Sequence, residues 1–265
     1  MLIYKIMIAA TLVILLAEIA ERSTPRLASI LAGLPIGSGF VLLFYGLEFG
    51  SEYATNAVPY NILGLSGSLS FAVSYYLGTK ASNKYSILSG LVYGFSGFFI
   101  VAYILSHLVV SSALIPGAIL LVLIALSIYL FSSIEEIKSP KRSKSSFVKI
   151  LIRGLMATFF VVLVSYAPNY FSDSFSGILS AFPSTLIPLL IVLHYSQGRE
   201  FIHVIIKHLP IGYIGIMIYS ISVGEFYEVY GVALGTIYAF SVSTMYLLLV
   251  GLGVSWRKQY LKRVV

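Results

Sequence analysis

The chain contains no cysteine and carries little charge. Without cysteine it forms neither a disulfide nor a thiolate metal site. Its four histidines and ten carboxylates include no H-E-x-x-H or comparable arrangement, so we expect neither a metal nor another cofactor. No Ser/His/Asp set, histidine cluster or pair of acids falls at a common depth in the apolar segments, so an enzyme is not expected.

Charged residues make up only 10% of the 265 residues, whereas 58% are hydrophobic. Apolar runs of about twenty residues recur from end to end, and a run of that length crosses the roughly 30 Å hydrocarbon core of a bilayer. A soluble protein of this size cannot bury so many. The sequence therefore predicts an all-α, polytopic membrane protein with nine transmembrane helices, termed spans 1 to 9, near residues 2–20, 27–47, 57–79, 85–106, 112–134, 147–168, 175–196, 201–222 and 227–255.

The positions of the charges explain the formal net charge of +7 without a nucleic-acid partner. With nine spans, sixteen of the seventeen Lys and Arg residues fall on one side of the membrane and only Lys5 falls on the other. The positive-inside rule then predicts a protein of the cell (plasma) membrane with its N-terminus outside and its C-terminus cytoplasmic. The outer loops carry acids instead: Glu48, Glu52, Asp173, Glu225 and Glu228.

The longest polar stretch, residues 135–149 (EEIKSPKRSKSSFVK), divides the chain in two. Its composition favours a solvated loop that fixes the topology, and the alternative is a contact with lipid headgroups. Membrane lipids are the expected partners of the protein in either case.

The two parts of the chain resemble each other at a shift of 148 residues. The matched positions include glycines and prolines, which mark backbone geometry rather than hydrophobicity. They are Pro35 with Pro183, Gly50 with Gly198, Gly64 with Gly212, Gly67 with Gly215 and, after a seven-residue deletion, Gly90 and Gly94 with Gly231 and Gly235.

This match predicts two four-helix repeats, residues 1–110 and 147–265, joined by a linker helix and the basic loop at 111–146. A single linker helix inverts the second repeat in the membrane. Inverted repeats are the architecture of many secondary transporters, whose binding site lies near the midplane at the repeat interface.

Spans 2 and 7 are each interrupted about halfway, by LPIGSG in the first repeat and FPST in the second. A proline removes a backbone donor and frees carbonyls that hydrocarbon cannot satisfy, so such a break is expected only against protein or water. We therefore predict a solute site at the two breaks, with nine candidate residues: Gly33, Pro35, Gly37, Ser38, Gly39, Pro183, Ser184, Thr185 and Pro188. The alternative is that these small residues serve close helix packing without a ligand.

Few ionisable residues lie inside the spans. Glu18 in span 1 and His208 in span 8 are the candidates for coupling transport to an ion. The alternatives are that Glu18 pairs with a neighbouring charge and that His208 only packs against other residues. His194 is read as a packing histidine in the same way. Asn61, Ser66, Ser68 and Ser70 in span 3 either line a polar path or bond back to their own helix.

The segment GILSAFPSTLIPLLIVLHYSQGREF, followed by GVALGTIYAFSVSTMYLLL, resembles the GlpM family of small four-helix inner-membrane proteins. The features that carry this resemblance are Phe182-Pro183, Ser184-Thr185, His194-Tyr195 and the short loop at Gly198. The first half resembles a diverged copy, with Leu34 and Gly37 in place of the second copy's phenylalanine and threonine. The resemblance implies a membrane protein with a possible transport role and no catalytic residues.

Glu18 also resembles the first-helix carboxylate of the drug/metabolite transporter superfamily, but its counterpart at the 148-residue shift is Tyr166, so no symmetric pair of acids exists. The leading hypothesis is a secondary transporter that moves a small solute by alternating access between the two repeats. The alternative is an accessory or scaffold protein of the cell envelope that does not transport. The sequence leaves the solute, the coupling ion and the oligomeric state open.

Overall fold

The computed structural model describes residues 33–135 and 147–264, together with Met7 and Thr11. The described residues form helices and turns without a strand, which confirms the all-α prediction. The helices are α1 (Ile36–Phe49), α2 (Ser51–Ala81), α3 (Ser86–Ser106), α4 (Leu114–Phe131), α5 (Phe147–Ser165), α6 (Asp173–Ser180), α7 (Leu186–Gln197) and α8 (Arg199–Val264).

Helix α2 is the centre of the bundle and contacts α1, α3, α4, α6 and α8. By contrast, α3 buries only one stripe, Gly90, Gly94, Phe98 and Ala102, at the four-residue spacing of one helix face. Gly94 lets α3 approach closely enough for a Cβ there to lie 2.8 Å from the ring of Phe71 in α2. The rest of α3 is largely apolar and exposed, as expected of a helix that faces lipid.

Four segments are long and apolar enough to cross a membrane, namely Ser86–Ser106, Leu114–Phe131, Leu151–Asn169 and Arg199–Leu252. The last has 54 residues, which at about 1.5 Å each is far more than one bilayer thickness. Helices α1 and α7 are apolar but have only 14 and 12 residues, because the breaks before them shorten spans 2 and 7. The count of nine spans stays a prediction.

Helix α8 bends at Gly231, whose φ of 74° and ψ of 172° interrupt the helix. We call residues 199–230 the first arm of α8. The predicted boundary between spans 8 and 9, at residues 223–226, is wrong because that segment is helical. Polar Glu225 and Glu228 suggested a loop there, but helices routinely carry exposed acids near an end, whereas only glycine readily adopts the backbone angles at 231.

Helix α2 and the first arm of α8 run antiparallel. Ser220 donates to Asn61 at 2.7 Å, while Gly224 faces Val58. At the other end, Arg199 donates to the carbonyl of Thr79 at 3.4 Å. Residue numbers thus rise along one helix as they fall along the other.

Several basic side chains gather at one end of the bundle, where Glu200 also lies in the first turn of α8. Arg199 and Lys80 lie where α2 ends and α8 begins, and the Lys207 ammonium donates to the carbonyl of Ile134 just beyond α4. At the opposite end, Asp173 lies beside Tyr53 in the first turn of α2. Gly46 of α1 lies against Tyr227, which Glu225 and Glu228 flank.

Span 3 begins earlier than predicted, at Ser51, since only Gly50 separates it from α1. Span 1, the first residues of span 2 and most of the basic loop lie outside the described residues. Membrane character is supported by the apolar helices, and the membrane side of each terminus stays a prediction.

Candidate functional site

Both predicted breaks are present and share two backbone hydrogen bonds at equivalent positions. Residues 33–35 form a turn before α1, and residues 181–185 separate α6 from α7. In the first break the amide of Ile36 donates to the carbonyl of Leu34 at 2.8 Å, and that of Gly39 donates to Pro35 at 2.7 Å. The second break repeats both bonds 148 residues later: Ser184 to Phe182 at 2.6 Å, and Ile187 to Pro183 at 3.0 Å.

The helices after the breaks also end alike. Gly50 follows α1 with φ 96° and ψ 161°, and Gly198 follows α7 with φ 93° and ψ 173°. Side chains other than hydrogen are strongly disfavoured at such angles. The 148-residue shift therefore relates two segments of matching backbone, from the break to the turn after the helix.

The two breaks meet around a small cavity of about 30 Å³. Fourteen of its fifteen lining residues form seven pairs, each related by the 148-residue shift, and Leu209 is the remaining one. The pairs are Gly33 with Ala181, Leu34 with Phe182, Pro35 with Pro183, Gly37 with Thr185, Ser38 with Leu186, Leu65 with Tyr213, and Ser68 with Ile216. Equivalent positions of the two repeats thus face each other across one point.

The packing beside the cavity is reciprocal. A Cβ on Gly33 would lie 2.5 Å from the Cα of Gly212, and a Cβ on Gly64 would lie 2.9 Å from the Cβ of Ala181. The 148-residue shift converts Gly33 into Ala181 and Gly64 into Gly212, so the two contacts exchange. In a two-fold arrangement, residue i of one copy touches residue j of the other, and residue j of the first copy touches residue i of the second. The two contacts follow this pattern.

The cavity wall carries four hydroxyl-bearing residues and, among the described residues that line it, no charged one. Ser38 comes from α1, Ser68 from α2, Thr185 from the end of the second break and Tyr213 from α8. Ser68 donates to the carbonyl of Ala181 within the break. Each of these residues has a residue without a hydroxyl at its equivalent position. The backbone around the cavity is therefore related by the repeat, whereas the hydroxyl groups are not.

Ser184 lies in the second break and is 1% exposed. Its hydroxyl has no hydrogen-bond partner within the described part of the chain. It points to the first turn of α1, because a Cβ on Gly37 would lie 2.6 Å from the Ser184 Oγ. Buried polar groups are normally hydrogen-bonded, so this one marks a position where a partner is to be expected.

Six of the nine predicted solute-site residues line the cavity, namely Gly33, Pro35, Gly37, Ser38, Pro183 and Thr185. Ser184 lies directly behind the wall. Gly39 instead packs against α8, where a Cβ would lie 3.0 Å from the ring of Phe240 and the Tyr219 hydroxyl donates to the Gly39 carbonyl at 3.3 Å. Pro188 is buried in the first turn of α7, a position that tolerates proline.

The two predicted coupling residues are not part of the cavity wall as described. His208 lies in the first arm of α8, where the neighbouring Leu209 faces the cavity. Glu18 lies outside the described residues. His194 bonds through its ring nitrogens to Tyr75 at 2.9 Å and to Ser86 at 3.1 Å, which ties α7 to α2 and α3 and agrees with a packing role.

Sequence reasoning missed Tyr213, which it treated only as one of many aromatics. The sequence did hold a signal for this residue. Tyr213 lies three residues after Pro210 in span 8, and the 148-residue shift places it on Leu65 of span 3. Asn61 was considered for a polar path, and it is buried in a network beside the cavity. Its amide donates to Ser180 at 2.6 Å and accepts from Ser220 at 2.7 Å.

Comparisons of the chain with protein-family models, with curated proteins and with solved structures give no match, so the resemblance to the GlpM family stays a prediction.

Proposed function

We propose that the protein is a secondary transporter that moves a small solute across a membrane by alternating access. The observation that carries this proposal is the cavity where the two breaks meet, with seven pairs of equivalent residues around it. Discontinuous helices that meet at the interface of two repeats are a common way to build a transporter site.

The position of the cavity along the helices supports a midplane site. Its α2 residues, Leu65 and Ser68, lie in the middle of Ser51–Ala81. Those of α8, from Leu209 to Ile216, lie in the middle of the first arm. A solute there is about equally far from both ends of the bundle.

The local two-fold relation supports alternating access. If two repeats have one backbone fold, exchanging their conformations produces a second state with the opposite opening and a similar energy. The antiparallel course of α2 and its counterpart, the first arm of α8, supports an inverted second repeat. The gathering of Lys80, Arg199 and Lys207 at one end of the bundle supports a common cytoplasmic side for these three residues.

The close contacts of Gly33 and Gly64 favour the second candidate, an integral membrane accessory or scaffold protein of the cell envelope. Small residues that let backbones touch are a general device of membrane helix packing. Under that reading the breaks join the two repeats permanently and the cavity is never open to water.

Two-sided labelling of single cysteines separates these functions in a chain that has no native cysteine. The variants are Ser38→Cys and Thr185→Cys, which place a thiol of similar size in the cavity wall. Each is reconstituted into vesicles and treated with a membrane-impermeant thiol reagent, once from outside and once from inside. A transporter predicts that each position reacts from both sides.

The matched control is Ser66→Cys. Ser66 is fully buried in α2 and does not line the cavity, so it is expected to stay protected. Protection of all three positions from both sides would contradict transport and favour the accessory protein. Reaction from one side only would identify a closed vestibule and would also contradict alternating access.

A further inference from the structure

A second and larger concavity lies between α3 and α4, apart from the cavity at the two breaks. Both helices pack on α2 but barely contact each other, so one face of α2 stays open between them. This groove has a volume of about 420 Å³, within the range of roughly 300–1,000 Å³ that is typical of ligand pockets. Its floor includes Leu69 and Val73 of α2, and its walls include Ile100 and Val101 of α3 and Leu123 and Leu126 of α4.

The lining of the groove is mainly aliphatic. Seven of its eleven residues are Leu, Val or Ile, and the other four are three serines and Gly97. A serine inside a helix can bond back to a carbonyl of its own helix, which leaves little for a polar ligand. The described lining contains no charged residue. The groove therefore suits a hydrocarbon ligand.

The surroundings of the groove supply such a ligand. Helices α3 and α4 are both long and apolar enough to cross a membrane. Their outward faces are apolar and exposed beside the groove, at Ile100, Leu126 and Leu130. Exposed apolar faces of spanning helices lie against lipid, so hydrocarbon from the bilayer has direct access to the groove.

The width of the groove distinguishes an acyl chain from a helix of another protein. Along α4 the groove extends from Leu123 to Leu130, which is about 10 Å at 1.5 Å per residue. A volume of about 420 Å³ over this length gives a mean cross-section of about 40 Å². A helix with its side chains is roughly 10–12 Å across, or about 80 Å² and more in cross-section. Flexible acyl chains fit this section, whereas a helix does not.

The groove leads to the basic end of the bundle. On α2 and α4 it occupies the C-terminal halves of the helices, which end there. Val73 lines the groove, and Leu77 and Lys80 follow it on the same face at i+4 and i+7. The Lys80 ammonium lies 4.4 Å from the ring centre of Tyr76, and that ring packs against Phe131 at the end of α4. A cation therefore lies just beyond the groove, near the ends of both helices.

The charges at this end favour an anionic headgroup. Basic side chains outnumber acidic ones among the residues described there, with Lys80, Lys84, Arg199 and Lys207 against Glu135 and Glu200. Lysine close to a membrane surface attracts anionic lipids, which are concentrated in the cytoplasmic leaflet. The predicted cytoplasmic position of Lys80 agrees with such a headgroup.

We propose that the groove between α3 and α4 binds one anionic phospholipid, with an acyl chain against α2 and the headgroup at Lys80. This inference goes beyond the proposed function, because it rests on the membrane character of the helices and not on transport.

The test is native mass spectrometry of the purified full-length protein in detergent, titrated with dioleoyl phosphatidylglycerol or dioleoyl phosphatidylcholine. The two lipids have the same chains, but only phosphatidylglycerol carries a net negative charge. The first phosphatidylglycerol should bind about fivefold more tightly than the first phosphatidylcholine, which is the effect of one lysine near the headgroup. Val101→Phe fills the groove from α3 and should weaken the first binding of both lipids about tenfold, the effect of displacing about two methylenes.

Val92→Phe is the matched control, because Val92 is an exposed residue of α3 that does not line the groove. It should bind both lipids as the parent protein does. Ser127→Leu, which fills the groove from α4, is the second variant if Val101→Phe folds poorly. Lys80→Gln should remove the preference for phosphatidylglycerol, and Lys80→Arg should keep it because the positive charge is retained.

Unchanged binding of both lipids in Val101→Phe and Ser127→Leu would overturn the site. Equal affinity of the parent protein for the two lipids, or a preference that survives Lys80→Gln, would overturn the anionic headgroup. A dimer that Val101→Phe dissociates without changing the number of bound lipids would assign the groove to a second copy of the chain. None of these results changes the outcome of thiol labelling at positions 38 and 185, so a failure of this inference is distinguishable from a failure of transport.

Discussion

Alanine at Gly64 or Gly33 tests the close backbone contacts between the two repeats. A Cβ on Gly64 would lie 2.9 Å from the Cβ of Ala181 and closer still to the carbonyl of Ile178. A Cβ on Gly33 would lie 2.5 Å from the Cα of Gly212. Both obstacles are backbone or Cβ atoms, which cannot rotate away as the end of a side chain can.

The cost follows from the distances. Carbon atoms pack at about 3.5–4.0 Å, so each variant must separate two backbones by roughly 1 Å. Overpacking of this kind costs about 1–3 kcal/mol, and backbone obstacles place these variants at the upper end. Alanine gains up to about 1 kcal/mol in helix propensity at Gly64, which leaves a net loss of about 2 kcal/mol there and about 3 kcal/mol at Gly33, which precedes α1.

Gly224→Ala is the matched control in the first arm of α8. A Cβ there would find Val58 at 3.8 Å, an ordinary contact, so this variant should keep the propensity gain without the clash. Thermal unfolding in detergent, followed as the fraction that stays monodisperse after heating, should place Gly64→Ala about 4–8 °C and Gly33→Ala about 6–12 °C below the parent at about 2–4 °C per kcal/mol. If either is as stable as Gly224→Ala, the close approach of the two repeats is wrong.

Other changes test separate parts of the argument. Gly50→Ala and Gly198→Ala should each lower the free energy of unfolding by about 1–3 kcal/mol through backbone strain alone, since a Cβ at either has no neighbour within 4 Å. Clearly unequal losses in thermal unfolding would argue against equivalent turns. Asn61→Leu should cost only about 1 kcal/mol, because Ser180 and Ser220 keep acceptors in their own helices. Asn61→Asp should cost about 3 kcal/mol or more by burying a charge, and the opposite order of the two Asn61 variants would refute the network. Tyr45→Phe should cost about 1–3 kcal/mol in the same assay, because it leaves the carbonyls of Ser176 and Val164 without this donor. Gly37→Cys combined with Ser184→Cys should form a disulfide across the two breaks. The disulfide would be detected as thiols that can be alkylated only after reduction. Free thiols under oxidising conditions would show that the breaks do not touch.

The sequence was most informative where residues constrain the backbone. Pro35 and Pro183 predicted breaks at the places where the structure has them, because proline cannot donate within a helix. The 148-residue match of Gly50 and Gly198 marked two turns that share their backbone angles. Both signals are local and need no knowledge of the partner helices.

Features that depend on tertiary contacts were harder to predict. Gly39 was assigned to the solute site with Gly37, but two residues along a helix turn the side by about 200°, and Gly39 faces Phe240 instead. Tyr213 reaches the cavity only because α8 crosses α2 at that depth. The end of span 8 was misplaced because Gly224, Glu225 and Glu228 suggested a loop, whereas the helix continues through them to Gly231.

The cavity combines a symmetric backbone with asymmetric hydroxyls, and this bears on how alternating access would work. The first copy contributes Ser38 and Ser68, and the second contributes Thr185 and Tyr213. Each copy therefore supplies two hydroxyls, at positions that are not equivalent. If the two copies exchange conformations, the solute meets a different arrangement of donors while their number is unchanged. These unequal hydroxyl positions would then set a small energy difference between the two openings.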